Sequence, residues 1–109
     1  MRIITLNLNG VRSAANKGFF QWLPAQNADI VCVQELKAQT ADMTTEMINP
    51  ADYYGYFHYA EKRGYSGVGV YAHRQPDRIV EGLGIPDVDA EARYLEVVFG
   101  NLSVISLYL

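Results

Sequence analysis

Glu35 is the residue around which chemistry could gather. It follows the apolar run 29–34, DIVCVQ, and Lys37 stands two positions further on. A carboxylate at a strand end suits Mg²⁺, which takes one or two carboxylates, keeps several waters and shares a substrate's phosphate oxygens. The same pair also reads as a solvated Glu beside a Lys, an exposed arrangement worth little. Asn7 ends an earlier apolar run, 2–7, RIITLN, ahead of a Gly10 turn. Arg12 and Ser13 lie just past it and could donate to a phosphate, although an exposed Arg commonly has no such task. Residues 58–67, HYAEKRGYSG, interleave Lys62 and Arg63 with Tyr59 and Tyr65. Bases for phosphates and a hydroxyl or ring for sugar fit a nucleic-acid backbone. An ordinary hairpin loop would share that composition. His58 and His73 have no Cys or second His at metal-ligand spacing and read as structural. Cys32, between Val31 and Val33, reads as core. Tyr108, near a strand end, fits either core or site.

Elements must bring these residues together. Runs 2–7 and 29–34 read as strands, the second fit for burial on both faces. Between them Phe19, Phe20 and Leu23 recur at helical spacing. They give a helix over about 14–26 that ends or kinks near Pro24, because an interior proline removes a hydrogen bond and costs about 3 kcal/mol. Strand, helix, strand is a βαβ unit, so the two strands should be parallel neighbours. Ligands of open α/β sheets collect at the carboxyl ends of such strands, which places Asn7 and Glu35 at one edge. Thr40 is the expected N-cap of a short helix through Ile48, with Met43 and Met47 stacked, ended by Asn49-Pro50. Further strands are expected near 54–60, 67–73, 78–82, 93–99 and 102–108, the last two joined by a Gly100-Asn101 hairpin. Segment 84–92 admits a loop or one helical turn. RYLEVVF and LSVISLYL read as apolar on both faces.

The chain has 109 residues, half of them hydrophobic and 19% charged, which suits one globular domain. A single cysteine excludes an internal disulfide framework and favours a reducing compartment. No apolar run is long enough for a signal peptide or a membrane span, so the expected location is cytoplasmic, with no membrane partner. The net charge of −3 argues, in bulk, against a strong nucleic-acid binder, and it is compatible with a carboxylate-rich metal site. Leu109 falls inside an apolar run without turn or cap, as expected for part of a longer protein.

Taken in order, 3–13 (IITLNLNGVRS), 29–37 (DIVCVQELK), 62–70 (KRGYSGVGV) and 103–108 (SVISLY) resemble exonuclease III and its abasic-site endonuclease relatives. These belong to the magnesium-dependent endonuclease/exonuclease/phosphatase superfamily. The resemblance implies an α/β fold, the N-terminal half of a four-layer α/β sandwich, with residues 1–109 supplying one mixed β-sheet and helices on its outer face. It implies Glu35 as the Mg²⁺ ligand (Mn²⁺ as an alternative ion) and Asn7 as the strand-end amide supporting the metal and phosphate. Asn9 stands where some relatives carry Asp, a second metal contact that is weaker as an amide, and it joins the DNA-facing set. Arg12, Ser13, Tyr65 and Ser66 are similar to residues that hold the DNA backbone. Lys37 sits in the family's Q-E-x-K motif and supports Glu35. Tyr108 looks like the tyrosine whose hydroxyl approaches the scissile phosphate.

The implied activity is hydrolysis of the phosphodiester 5′ to an abasic site in base excision repair. The family also shows 3′→5′ exonuclease and 3′-phosphatase activities. The implied partner is double-stranded DNA with abasic sites or 3′-blocked ends, bound by a monomer. The family's Gly-Asp-x-Asn motif and its C-terminal Asp-His pair are absent from these 109 residues, so the chain alone is expected to be inactive. Two rival readings are a superfamily branch acting on phosphoinositides or sphingomyelin, and a non-catalytic DNA-binding α/β domain.

Overall fold

The structure, a computed structural model, describes residues 1–109. β1 (Ile3–Asn7) and β2 (Ile30–Gln34) are parallel, with Asn7 opposite Gln34. Between them lie α1 (Val11–Asn16) and α2 (Phe19–Ala25), which complete the βαβ unit. The single helix expected over 14–26 is instead two, and the break falls at Gly18. That residue has φ 93°, a conformation free to glycine and costing other residues roughly 1–2 kcal/mol. Pro24 stands one residue from the end of α2, so little helix remains for it to interrupt.

β3 (Tyr54–His58) and β4 (Val68–Ala72) extend a mixed sheet in the order β1-β2-β4-β3. Every residue of β2 and β4 is buried, as the unbroken apolar run of 29–34 led us to expect. Val31, Val33 and Tyr71 form a core with Phe19, Phe20 and Leu23 of the helical layer. Gly69 cannot carry a side chain, since its Cβ would lie 2.6 Å from the Phe57 ring.

The opposite face of this sheet is covered by a second one. β5 (Arg78–Glu81), β6 (Tyr94–Phe99) and β7 (Leu102–Leu107) form an antiparallel sheet in that order. Ile30, Cys32, Val68, Val70 and Ala72 of the first sheet pack on Leu95, Val97, Phe99 and Val104 of the second. The expectation of one sheet is therefore corrected to two, in three layers with the helices. The reason is local. β6 and β7 alternate in burial, so their inner residues need a partner, and the inner residues of β2 and β4 supply it. Nor is the outer face of these strands wholly apolar: Glu96 and Ser103 interrupt it beside the half-exposed Ile105 and Leu107.

The Gly100-Asn101 hairpin forms, pairing Phe99 with Leu102. Thr40 opens a 3-10 turn, Thr40–Asp42, and does not cap a helix. The cap is Thr44, whose Oγ1 accepts from Met47 N at 3.2 Å to start α3 (Thr45–Ile48). Segment 84–92 contains one helical turn, α4 (Pro86–Asp89). No helix is long and apolar enough to cross a membrane.

Candidate active site

The carboxyl ends of β1 and β2 run into two loops that bond to each other through the backbone. Gly10 N donates to Glu35 O at 2.8 Å and Val11 N to Leu36 O at 2.9 Å. On the other side Leu36 N donates to Gly67 O at 3.1 Å and Lys37 N to Ser66 O at 2.9 Å. Four of the chain's seven non-glycine residues with positive φ lie here: Asn9, Glu35, Lys37 and Ser66. Each such residue costs roughly 1–2 kcal/mol, which the loop-to-loop hydrogen bonds, at about 0.5–1.5 kcal/mol apiece, are of the size to offset. The strain turns Glu35 and Lys37 out of the strand direction and toward one another.

The side chains at this edge form one connected network. Glu35 Oε1 accepts from Asn7 Nδ2 at 3.0 Å and from the Tyr108 hydroxyl at 2.8 Å. Glu35 Oε2 lies 3.5 Å from the Lys37 ammonium, which donates to Asn9 Oδ1 at 2.7 Å. Asn7 Oδ1 accepts from Asn9 N at 2.9 Å, an Asx turn that fixes which end of the amide meets Glu35. Arg12 donates to Lys37 O at 2.9 Å and lies 3.7 Å from Asp42.

Charge follows this geometry. The bonds from Asn7 and then Tyr108, with Lys37 beside them, hold the Glu35 carboxyl below the usual carboxylate range. The bond to that carboxylate raises the Tyr108 hydroxyl above the ordinary tyrosine value, so it remains a donor at neutral pH. A hard divalent cation fits this donor set. Glu35 supplies an ionised oxygen. Asn7 turns its Nδ2 to Glu35 and its Oδ1 to Asn9 N, so its oxygen would join once the amide turns. No three His, Cys, Asp or Glu residues gather as a closed zinc cage would require.

The structure thus brings Asn7, Asn9, Arg12, Glu35, Lys37 and Tyr108 together. Ser13 lies on the first turn of α1, half-buried, close to Gly10. Tyr65 is exposed, with the Lys62 ammonium 5.4 Å from its ring centroid. Ser66 differs from expectation. It is buried and its hydroxyl has no partner, because the turn that lets its carbonyl accept from Lys37 N points the side chain inward. It shapes the loop and offers no surface contact to DNA.

Arg93 was missed by the sequence reading. Its guanidinium donates to Glu91 at 2.5 Å, to the Tyr65 hydroxyl at 3.1 Å and to Leu109 O at 3.1 Å, and it lies 5.0 Å from the Tyr108 ring centroid. Its partners Tyr65 and Tyr108 are far along the chain in opposite directions, so no local spacing signals it. His58 and His73 each face a backbone carbonyl, of Tyr94 and Asp52, in keeping with structural roles. Cys32 is buried, and burial pushes its thiol up to about 11.

The fold is a layered α/β sandwich with an amide, a carboxylate and an ammonium gathered at the carboxyl edge of its parallel strands. Residues 4–109 match the Endonuclease/Exonuclease/phosphatase family, and the chain belongs to it. It is 36% identical over 109 residues to the exodeoxyribonuclease of Bacillus subtilis, covering 99% of this chain and 42% of that protein. It is 29% identical over 109 residues to a DNA-(apurinic or apyrimidinic site) endonuclease of Dictyostelium discoideum, covering all of this chain and 30% of that one. The structure of an AP endonuclease from Archaeoglobus fulgidus superimposes with a TM-score of 0.80 at 25% identity, over 96% of this chain and 40% of that one. The catalytic domain of Xenopus laevis APE2 shares the fold with a TM-score of 0.85 at 24% identity, over 99% of this chain and 45% of that one. The chain thus spans less than half the length of each of these relatives.

Proposed function

We propose that this chain forms the metal- and phosphate-facing part of a DNA repair nuclease. The full-length enzyme hydrolyses the phosphodiester 5′ to an abasic site and leaves a 3′-hydroxyl, as a cytoplasmic monomer. The observation that carries the reading is the ionised Glu35, held by Asn7 and Tyr108 where two parallel strands end. The family is one of metal-dependent nucleases, and Mg²⁺ is the ion that a single carboxylate and an amide oxygen suit. Glu35 and Asn7 would hold it, and when bound it neutralises charge developing on the phosphate under attack. Relatives named as abasic-site endonucleases and exodeoxyribonuclease support DNA as the substrate.

The chain's own side chains supply binding and orientation. Arg12, in the first turn of α1, and Tyr65, on the loop before β4, are exposed near Glu35 and suit the backbone phosphates on either side of the lesion. Lys37, paired with Asn9, keeps a positive charge beside the carboxylate. The Tyr108 hydroxyl donates toward the same edge and can turn from Glu35 to a phosphate oxygen. No side chain gathered here is a free base, since Glu35 is engaged by its three neighbours. The water is therefore activated by a residue outside this network.

The test is nicking of duplex DNA by the full-length protein, comparing one abasic site, an intact duplex and a 3′-phosphate end, with Mg²⁺ and with chelator. Abasic-site cleavage that stops on chelation and resumes with Mg²⁺ is expected. Cleavage indifferent to chelator, or binding of abasic DNA without cleavage, would contradict the reading.

A further inference from the structure

We propose that Ser106 and Gln34 form a latch between the two sheets that sets the Tyr108 hydroxyl against Glu35. The proposal rests on reading that pair as part of the active site. The interface between the sheets is mostly apolar, built from residues such as Cys32, Val68, Val70, Leu95 and Val97, with His58 of β3 facing Tyr94 O of β6 at 3.2 Å as a further polar contact. Apolar contact is non-directional. It holds the sheets together and does little to stop them sliding along the strands. Two buried polar side chains stand in this interface, Ser106 with no exposure and Gln34 with little. The Ser106 hydroxyl donates across it to Val33 O at 2.9 Å and accepts from Gln34 Nε2 at 3.3 Å. Gln34 Nε2 also donates to Thr5 Oγ1 at 3.0 Å. β7 is thereby tied to β2 and, through Gln34, to β1.

Each tied residue adjoins a site residue. Glu35 follows Gln34 directly, and Tyr108 comes two positions after Ser106, on the same face of an extended chain. A strand rises about 3.4 Å per residue, so sliding one sheet over the other by one position would carry Tyr108 out of bonding range of Glu35. The bond to be protected is 2.8 Å long and joins residues 73 apart in sequence. Tyr108's other anchors resist the slip less directly. Arg93 O accepts from its N–H at 2.9 Å and the Arg93 guanidinium lies over its ring, but Arg93 sits on the β6–β7 side of the sandwich and reaches the other side through the exposed Tyr65 hydroxyl at 3.1 Å. A hydroxyl and an amide cost more to bury than apolar groups unless they are bonded. What they add here is direction, which makes Ser106 and Gln34 positioning residues.

The test uses the full-length protein, with two readouts. In cleavage of abasic duplex, Ser106→Ala lowers kcat by about tenfold with KM within about twofold, as expected when a reacting group is misplaced. Ser106→Thr, which keeps the hydroxyl, restores kcat. Ser106→Ala combined with Tyr108→Phe is no slower than Tyr108→Phe alone, because Ser106 acts only through Tyr108. Without substrate, the NMR resonance of the Tyr108 ring Cζ, assigned by its loss in Tyr108→Phe, shifts in Ser106→Ala and holds in Ser106→Thr. An unmoved resonance in Ser106→Ala, or losses that multiply in the double variant, overturns the latch. Where Ser106→Ala fails to melt cooperatively, Ser106→Cys, a weak donor of similar size, carries the same comparison. A protein that never cleaves abasic DNA refutes the proposed function, while the latch is still decided by the spectrum.

Discussion

At Glu35 one oxygen accepts two hydrogen bonds and the other faces an ammonium, so the folded protein favours the charged form. The sign of the pH effect follows. A carboxyl whose folded pKa is depressed adds stability above its unfolded value, and that stability is lost as pH falls through the folded value. The difference in Tm between wild type and Glu35→Gln should therefore be largest near neutrality and shrink as pH drops below the ordinary 4.5, which thermal melts across that range will check. A difference independent of pH would mean that the carboxylate is not held as described. Arg12 makes a second residue-level prediction. If it meets a phosphate, Arg12→Ala should weaken DNA binding alike in all sequence contexts and make the log–log salt dependence shallower by about 0.9. Binding titrations at several salt concentrations read this directly, and an unchanged slope would return Arg12 to its contacts with Lys37 O and Asp42.

Elements that rest on strong periodicity were legible in the sequence. The two parallel strands and the Gly100-Asn101 hairpin lie where β-branched runs and turn residues put them. The helix ends beside Pro24 as expected, but the earlier break at Gly18 was missed because it acts through a backbone angle that no pattern reports. The second sheet was missed because RYLEVVF and LSVISLYL read as apolar on both faces, and their alternation in burial, with one face packed on β2 and β4, shows only in the fold. Strand-end position placed Asn7 and Glu35 at one edge, where their side chains meet, and the family resemblance singled them out as a metal site, whereas Arg93 and the latch depend on contacts between distant segments. Loop geometry gives a further prediction. Gly67 has φ 90°, and a Cβ there would meet Leu36 Cβ at 3.1 Å, beside the backbone bond that turns Leu36 and Lys37. Gly67→Ala should cost about 1–3 kcal/mol and lower cleavage, because the strain acts on the loop carrying Lys37. Gly64→Ala, with φ 68° but open space around it, should cost about 1 kcal/mol and leave the site intact. Chemical denaturation and cleavage assays on the two variants separate these outcomes.

As a whole, the chain is one helical layer on two stacked sheets, and its functional edge is where β1, β2 and the end of β7 meet. The bulk charge of −3 says little about that edge, where Arg12, Lys37 and Arg93 lie within one bonded neighbourhood. The donor set is correspondingly small. With no cluster of three His, Cys, Asp or Glu and no free base at the edge, the 109 residues alone should fail to nick abasic DNA even with Mg²⁺ present. Metal-dependent nicking by the purified 109-residue chain would show that the network described here is already sufficient. On the proposed function, Glu35 carries the metal-dependent chemistry of a DNA repair nuclease. The most direct measurement is kcat for abasic-site cleavage by the full-length protein and its Glu35→Ala variant at saturating Mg²⁺, with Tm recorded for both. A loss of at least about 100-fold with a cooperative melt retained is expected, as for removal of a group that stabilises transition-state charge. Near wild-type turnover by a folded Glu35→Ala protein would contradict it.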